Sequence, residues 1–186
     1  FTDIVANPSF PDVSFNRIFD GAQIGQQQKK QSPSAQAGIL FYQQLYGNHP
    51  YAHPSSGTAD SLKKIKTDDL KSFHQQYFVA QNATITMIGD ITDERAKAIA
   101  EKITSQLPQG QAAPQQVAVP PLIKAVHKHI SFPSQQTHIM MGQASMRRDD
   151  KDYDAIYVGN EILGGGGFGS ILMKELREKR GLTYGV

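Results

Sequence analysis

Four consecutive glycines, Gly164, Gly165, Gly166 and Gly167, run into Phe168 and Gly169 near the C-terminal end of the chain. Such backbone adopts positive φ without a side-chain penalty and lets another chain approach closely, so a loop is expected here. Ser170 to Val186, beyond the loop, reads as a short helix and then a strand. Ser170 is placed to cap the helix, Ile171, Leu172 and Leu176 mark one apolar face, and Gly181 supplies the stop. Glu175 and Lys179 lie four apart in the favourable order, and Lys174 and Glu178 lie four apart in the opposite one. Leu182-Thr183-Tyr184-Gly185-Val186 then alternates like the start of a strand.

The charges narrow the class of partner. Lys plus Arg number 19 against 17 for Asp plus Glu, too even a balance for a nucleic-acid or anionic-membrane surface. No apolar run approaches the roughly 20 residues of a membrane span. There is no cysteine, which excludes disulfides and thiolate metal sites. The chain opens in mid-pattern at Phe1 and stops inside the expected strand at Val186, as a piece of a longer polypeptide would.

Turn chemistry at Asn7-Pro8-Ser9 leads into an expected helix carrying Phe15, Ile18, Phe19 and Ala22, up to about residue 31. Ser32-Pro33-Ser34 breaks it and starts another, with Ala37, Leu40, Phe41 and Leu45 as its buried stripe. A loop spans Tyr46 to Gly57. Thr67 is then placed to cap a helix bearing Leu70, Phe73 and Tyr77, and Thr92 one bearing Ala96, Ile99, Ala100, Ile103 and Leu107. Between them, Thr84 to Gly89 is expected to form a strand by its β-branched content, as are residues 126–132 and 137–145. Residues 108–120, rich in Gln, Pro, Ala and Val, read as a linker. A last helix opens between Asp149 and Asp154, with Tyr153, Ile156, Tyr157 and Leu163 on one side. The mixture without regular alternation predicts an α+β fold, a mixed or antiparallel sheet covered by helices.

Leu176-Arg177-Glu178-Lys179-Arg180-Gly181-Leu182-Thr183-Tyr184, behind its glycine loop, resembles a signature of the pitrilysin/insulinase/processing-peptidase family of zinc metallopeptidases. A second match lies upstream, in the family's order: His49-Pro50-Tyr51, Pro54, Gly57-Thr58, Asp69-Leu70, Phe73, Tyr77, Asn82, Thr84 and Gly89-Asp90-Ile91. The resemblance implies α+β domains of the LuxS/metallohydrolase-like kind. Residues 1–107 would be the later part of a first domain, and residues 121–186 the early part of a second. The family's paired Arg and Tyr fall on Arg177 and Tyr184, implied catalytic residues. Gly164, Gly165, Gly166, Gly167, Phe168 and Gly169 are implied substrate-binding residues lying against an extended peptide.

The family's zinc motif, H-x-x-E-H with a downstream glutamate, is not found. No acidic residue lies between Asp20 and Lys30, where the downstream ligand should fall. The resemblance therefore implies a chain without a complete zinc site of its own and without a cofactor. Zinc would come from a homologous partner subunit, and the substrate would be a peptide or unfolded protein in a closed chamber. Bacterial members of this kind are often exported, which points to the periplasm. Two other readings stand beside this one. The chain could be a non-catalytic scaffold subunit of the same family, or Gly164, Gly166 and Gly169 could form a G-x-G-x-x-G phosphate site, although a helix rather than a strand is expected before them.

The histidines invite a metal reading. His49 and His53 lie four apart, but Pro50 and Pro54 oppose helical geometry, so hydrogen bonding within a loop is expected. His127 and His129 would share a strand face as two exposed residues, and His74 would lie at a helix edge.

Overall fold

The computed structural model describes all residues, Phe1–Val186, and their contacts divide the chain into two compact units, Phe1–Gly142 and Gln143–Val186. In the first unit lie α1 (Thr2–Ala6), α2 (Asp12–Lys30), α3 (Pro33–Tyr46), α4 (Ala59–Leu62), α5 (Thr67–Tyr77) and α6 (Asp93–Thr104). The second holds α7 (Tyr153–Asn160), a π-helical segment Glu161–Gly165, a 3-10 turn Gly167–Gly169 and a second π-helical segment Met173–Glu178.

The helices begin where local chemistry places them. Ser32 caps α3 by accepting the Ala35 N–H at 3.3 Å, with Pro33 at the first helical position. Thr92 does the same for α6 through the Arg95 N–H at 3.3 Å. For α5 the cap falls one residue earlier than expected. Lys66 occupies it, Thr67 is the first helical residue, and Asp69 accepts the Lys66 N–H at 2.7 Å. The Thr67 hydroxyl, freed from capping, donates to Asp12 of α2 at 3.1 Å.

α2 packs against α3 and α4, and α3 against the 3-10 turn Pro50–Ala52. The stripe expected on α3, Ala37, Leu40, Phe41 and Leu45, is half-buried. His74 on α5 does more than sit at a helix edge. Its Nε2 lies 2.7 Å from the Val5 carbonyl of α1, and its ring stacks on Phe78 at 4.7 Å between centroids. The fully buried apolar residues of this unit are Ala52 and Val79.

No sheet forms, which overturns the α+β expectation: the chain is all-α. Residues 84–89, 126–132 and 137–145 lie in no helix and share no ladder of backbone hydrogen bonds. Leu182–Val186 is not a strand either; there the Thr183 hydroxyl closes a tight local turn by donating to the Gly185 carbonyl at 2.7 Å. β-branched content favours extended backbone, but a strand exists only where a second backbone exchanges N–H and C=O with it.

The expected linker is pinned to the first unit. Ala80 and Gln81 donate their N–H groups to the carbonyls of Pro108 (2.8 Å) and Gln109 (3.3 Å), and the Ala113 N–H donates to the Asn82 side chain at 2.7 Å. Gly110, at φ +61°, packs so tightly on Val79 that a Cβ would fall 2.4 Å from its side chain.

Candidate functional site

The glycine loop and the helix after it are built within the second unit. α7 leads into the π-helical segment Glu161–Gly165, closed by the Gly166 N–H donating back to the Glu161 carbonyl at 2.8 Å. A Cβ on Gly166 would stand 2.8 Å from that oxygen, and one on Gly165 would stand 2.5 Å from the Glu161 carboxylate. Gly166 faces backbone and is therefore required by the loop's own folding, whereas the Glu161 carboxylate beside Gly165 ends a flexible side chain and can move aside. Gly167 has φ +61°, which favours glycine for a different reason. Gly169 has nothing within 4 Å of a would-be Cβ.

Ser170 ends the loop as expected. It is 1% exposed, and its Oγ accepts the Met173 N–H at 3.4 Å, capping the helical turns beyond it. Met173 beneath it is the unit's buried apolar residue. The wider π-helical turns of Met173–Glu178 are marked by the Lys179 N–H reaching back five residues to the Lys174 carbonyl at 3.0 Å. Gly181, at φ +60°, stops the helix as expected, its N–H on the Arg177 carbonyl at 3.0 Å.

This framework brings three of the expected residues together. The Arg177 guanidinium carbon sits 4.5 Å from the centroid of the Phe168 ring and 4.5 Å from that of Tyr184. Both distances lie well within cation–π range, so the rings' negative faces attract the cation. None of the ion pairs of the structure uses Arg177. The neighbouring carboxylate of Glu175 is taken by Lys179, whose hydrogen bond and then charge hold its pKa below the ordinary glutamate value. Lys174 and Glu178, the oppositely ordered pair, make no ion pair. Arg177 is half-buried, whereas Tyr184 is 85% exposed and Phe168 is 64% exposed. The outcome is a charged fork held in place by aromatic faces with its in-plane N–H groups free of protein carboxylates.

The part played by Phe168 was legible only as membership of the loop. Nothing in its spacing from Arg177, nine positions on, signals contact, because the glycine turns decide where its ring lies. The same turns argue against a dinucleotide site, since α7, a helix, precedes the glycines where a strand is needed.

The family resemblance raises zinc, and the residues present do not fit it. No three of His, Asp or Glu are arranged so that they could hold a metal ion. His49 is buried with both ring nitrogens engaged: Nδ1 accepts the Tyr51 N–H at 3.1 Å, so Nε2 carries the proton it donates to the Val117 carbonyl at 2.9 Å. The loop hydrogen bonding expected for it is what the structure shows. His127, His129 and His138 line a cavity of about 540 Å³ beside Gln36 and Phe41 of α3, without a carboxylate among its walls. No helix is long and apolar enough to cross a membrane.

The family model of the peptidase M16 inactive domain matches residues 64–186, the stretch that carries the glycine loop, Arg177 and Tyr184. The chain is a member of the M16 family. It resembles the crystal structure of a peptidase M16 inactive domain from Pseudomonas fluorescens with a TM-score of 0.95 and 44% identity, over 99% of this chain and 44% of that one. It is 30% identical over 162 residues to an uncharacterized zinc protease of Mycobacterium leprae, covering 83% of this chain and 35% of the relative. It is also 26% identical over 184 residues to a non-peptidase homolog, YmxG, of Helicobacter pylori, covering 99% of this chain and 42% of the relative. The chain thus spans less than half the length of these relatives.

Proposed function

We propose that this chain is the substrate-positioning, transition-state-assisting part of a two-component zinc peptidase, its residues working on a peptide whose cleavage needs a zinc-bearing homologous partner. The observation that carries this reading is the Arg177 guanidinium at 4.5 Å over both Phe168 and Tyr184, free of any carboxylate of its own. Peptide hydrolysis places negative charge on the scissile carbonyl oxygen, and a phenol or guanidinium N–H aimed at that oxygen stabilises it. Removing one such donor typically costs about 3 to 4 kcal/mol of barrier, or about a hundred- to a thousand-fold in kcat. The Tyr184 hydroxyl, on a largely exposed ring, is free to reach outward. The glycine loop would lie along the peptide's extended backbone, with Gly167 and Gly169 the positions open to it. On this reading residues 1–107 and 121–186 belong to successive family domains.

The similarity to a non-peptidase homolog favours a second reading, a scaffold subunit in which Arg177 and Tyr184 serve only the local fold. One experiment separates the two. The protein is mixed with its zinc-bearing partner and Tyr184→Phe is assayed for peptide turnover. The proposed role expects kcat to fall by about a hundredfold or more; unchanged turnover favours the scaffold.

A further inference from the structure

We infer that the Phe168–Arg177–Tyr184 cluster is a receptor for a peptide carboxylate, with Phe168 as the positioning residue that holds the guanidinium ready for it. This rests on the reading that Arg177 faces a peptide, and it goes beyond that reading by naming the group bound.

All the N–H donors of a guanidinium lie in its plane, so contact with ring faces uses none of them. The carbon of Arg177 lies 4.5 Å from both ring centroids, and no carboxylate of the chain pairs with it. The nearby carboxylate of Glu175 is occupied, bound to Lys179. An arginine usually loses much rotamer freedom when it grips a ligand; here the rings already limit that freedom, which lowers the cost of binding. A fixed, unpaired fork of charged donors matches a planar anion with two oxygens, which it can hold bidentately. The exposed Tyr184 hydroxyl adds a further donor beside it. Gly169, open on its Cβ side, leaves room for the ligand's backbone to come close. The carboxylate has two sources, the C-terminus of a peptide or an acidic side chain within one.

The test uses the purified protein alone, titrated calorimetrically at low salt with three probes: acetyl-tetra-alanine acid, its C-terminal amide, and an amide of the same length with one internal glutamate. The acid is expected to bind about tenfold more tightly than the plain amide, the scale of one charge-assisted hydrogen bond. Tight binding of the glutamate amide as well assigns the site to any peptide carboxylate, and its absence assigns the site to the C-terminus. Phe168→Ala is expected to weaken acid binding about tenfold and to abolish the ring-current shift of the Arg177 Nε–H resonance. Phe168→Tyr should preserve both. Equal affinity for acid and amide, or full acid affinity in Phe168→Ala, overturns the inference. If acid and amide bind alike while Tyr184→Phe slows turnover, the carboxylate receptor falls and the oxyanion role stands. If the acid is preferred while Tyr184→Phe turns over normally, the reverse holds.

Discussion

Replacing the loop glycines one at a time separates those that shape the loop from those that leave it open. Gly166 has φ −74° and ψ 23°, angles alanine tolerates, so the only obstacle to Gly166→Ala is contact. Its Cβ would lie 2.8 Å from the Glu161 carbonyl oxygen, which is backbone and already accepts the Gly166 N–H at 2.8 Å. The turn must open, losing a hydrogen bond worth about 1 kcal/mol net and adding crowding of about 1 kcal/mol or more. Gly167→Ala meets no atom but must hold φ +61°, at a cost of about 1–2 kcal/mol. Gly169→Ala meets neither obstacle and should change stability by less than about 0.5 kcal/mol. Because the chain has no tryptophan, urea unfolding followed by far-ultraviolet circular dichroism is the suitable assay. With a slope of roughly 2 kcal/mol per molar urea, Gly166→Ala should lower the midpoint by about 1 M, and Gly169→Ala should leave it in place. The peptide-facing role of the loop adds that Gly169→Ala should fold normally yet bind peptide more weakly. If Gly169→Ala lowers the midpoint as far as Gly166→Ala, the separation of shaping and open glycines is wrong.

Single contacts elsewhere in the chain give further expected outcomes. The Glu175 carboxyl lies below its ordinary value because of Lys179, so the pair supports its helix at neutral pH; that support fades as pH falls through the ordinary glutamate range to the lowered folded value. A carboxyl NMR titration should show this, and Lys179→Met should move the Glu175 midpoint upward. Thr92→Ala should cost α6 about 1 kcal/mol by urea unfolding. The same change should raise the Glu94 carboxyl, which its own backbone hydrogen bond and then Thr92 hold low. His49→Ala removes the hydrogen bonds to the Tyr51 N–H and the Val117 carbonyl, at about 1 kcal/mol each, since both residues are exposed enough for water to take over. Limited proteolysis should then cut faster near Val117.

Residues that act on their immediate neighbours were legible without coordinates. Ser32, Thr92 and Ser170 cap, Gly181 stops, and Glu175 meets Lys179, each through a contact spanning three or four residues that the backbone geometry of a helix fixes. The Arg177–Tyr184 pairing was legible too, but through a family pattern rather than through spacing. The cap of α5 falls one residue earlier than the sequence suggests, because the Thr67 hydroxyl turns to Asp12 of α2, 55 positions away, and Asp69 takes the Lys66 N–H instead.

What tertiary structure alone decided depends on segments far apart in sequence or on the path of a flexible turn. Residues 84–89, 126–132 and 137–145 have the composition of strands, yet a ladder needs a facing backbone, and composition cannot supply one. Val117 reaches His49 across 68 positions, and His74 reaches Val5 across 69, distances over which no periodicity carries information. Phe168 comes to rest against Arg177 because glycine turns, free in φ, steer its ring there. The chain's own letters set the arginine, the tyrosine and the glycines; only folding set the aromatic ring that holds the arginine still.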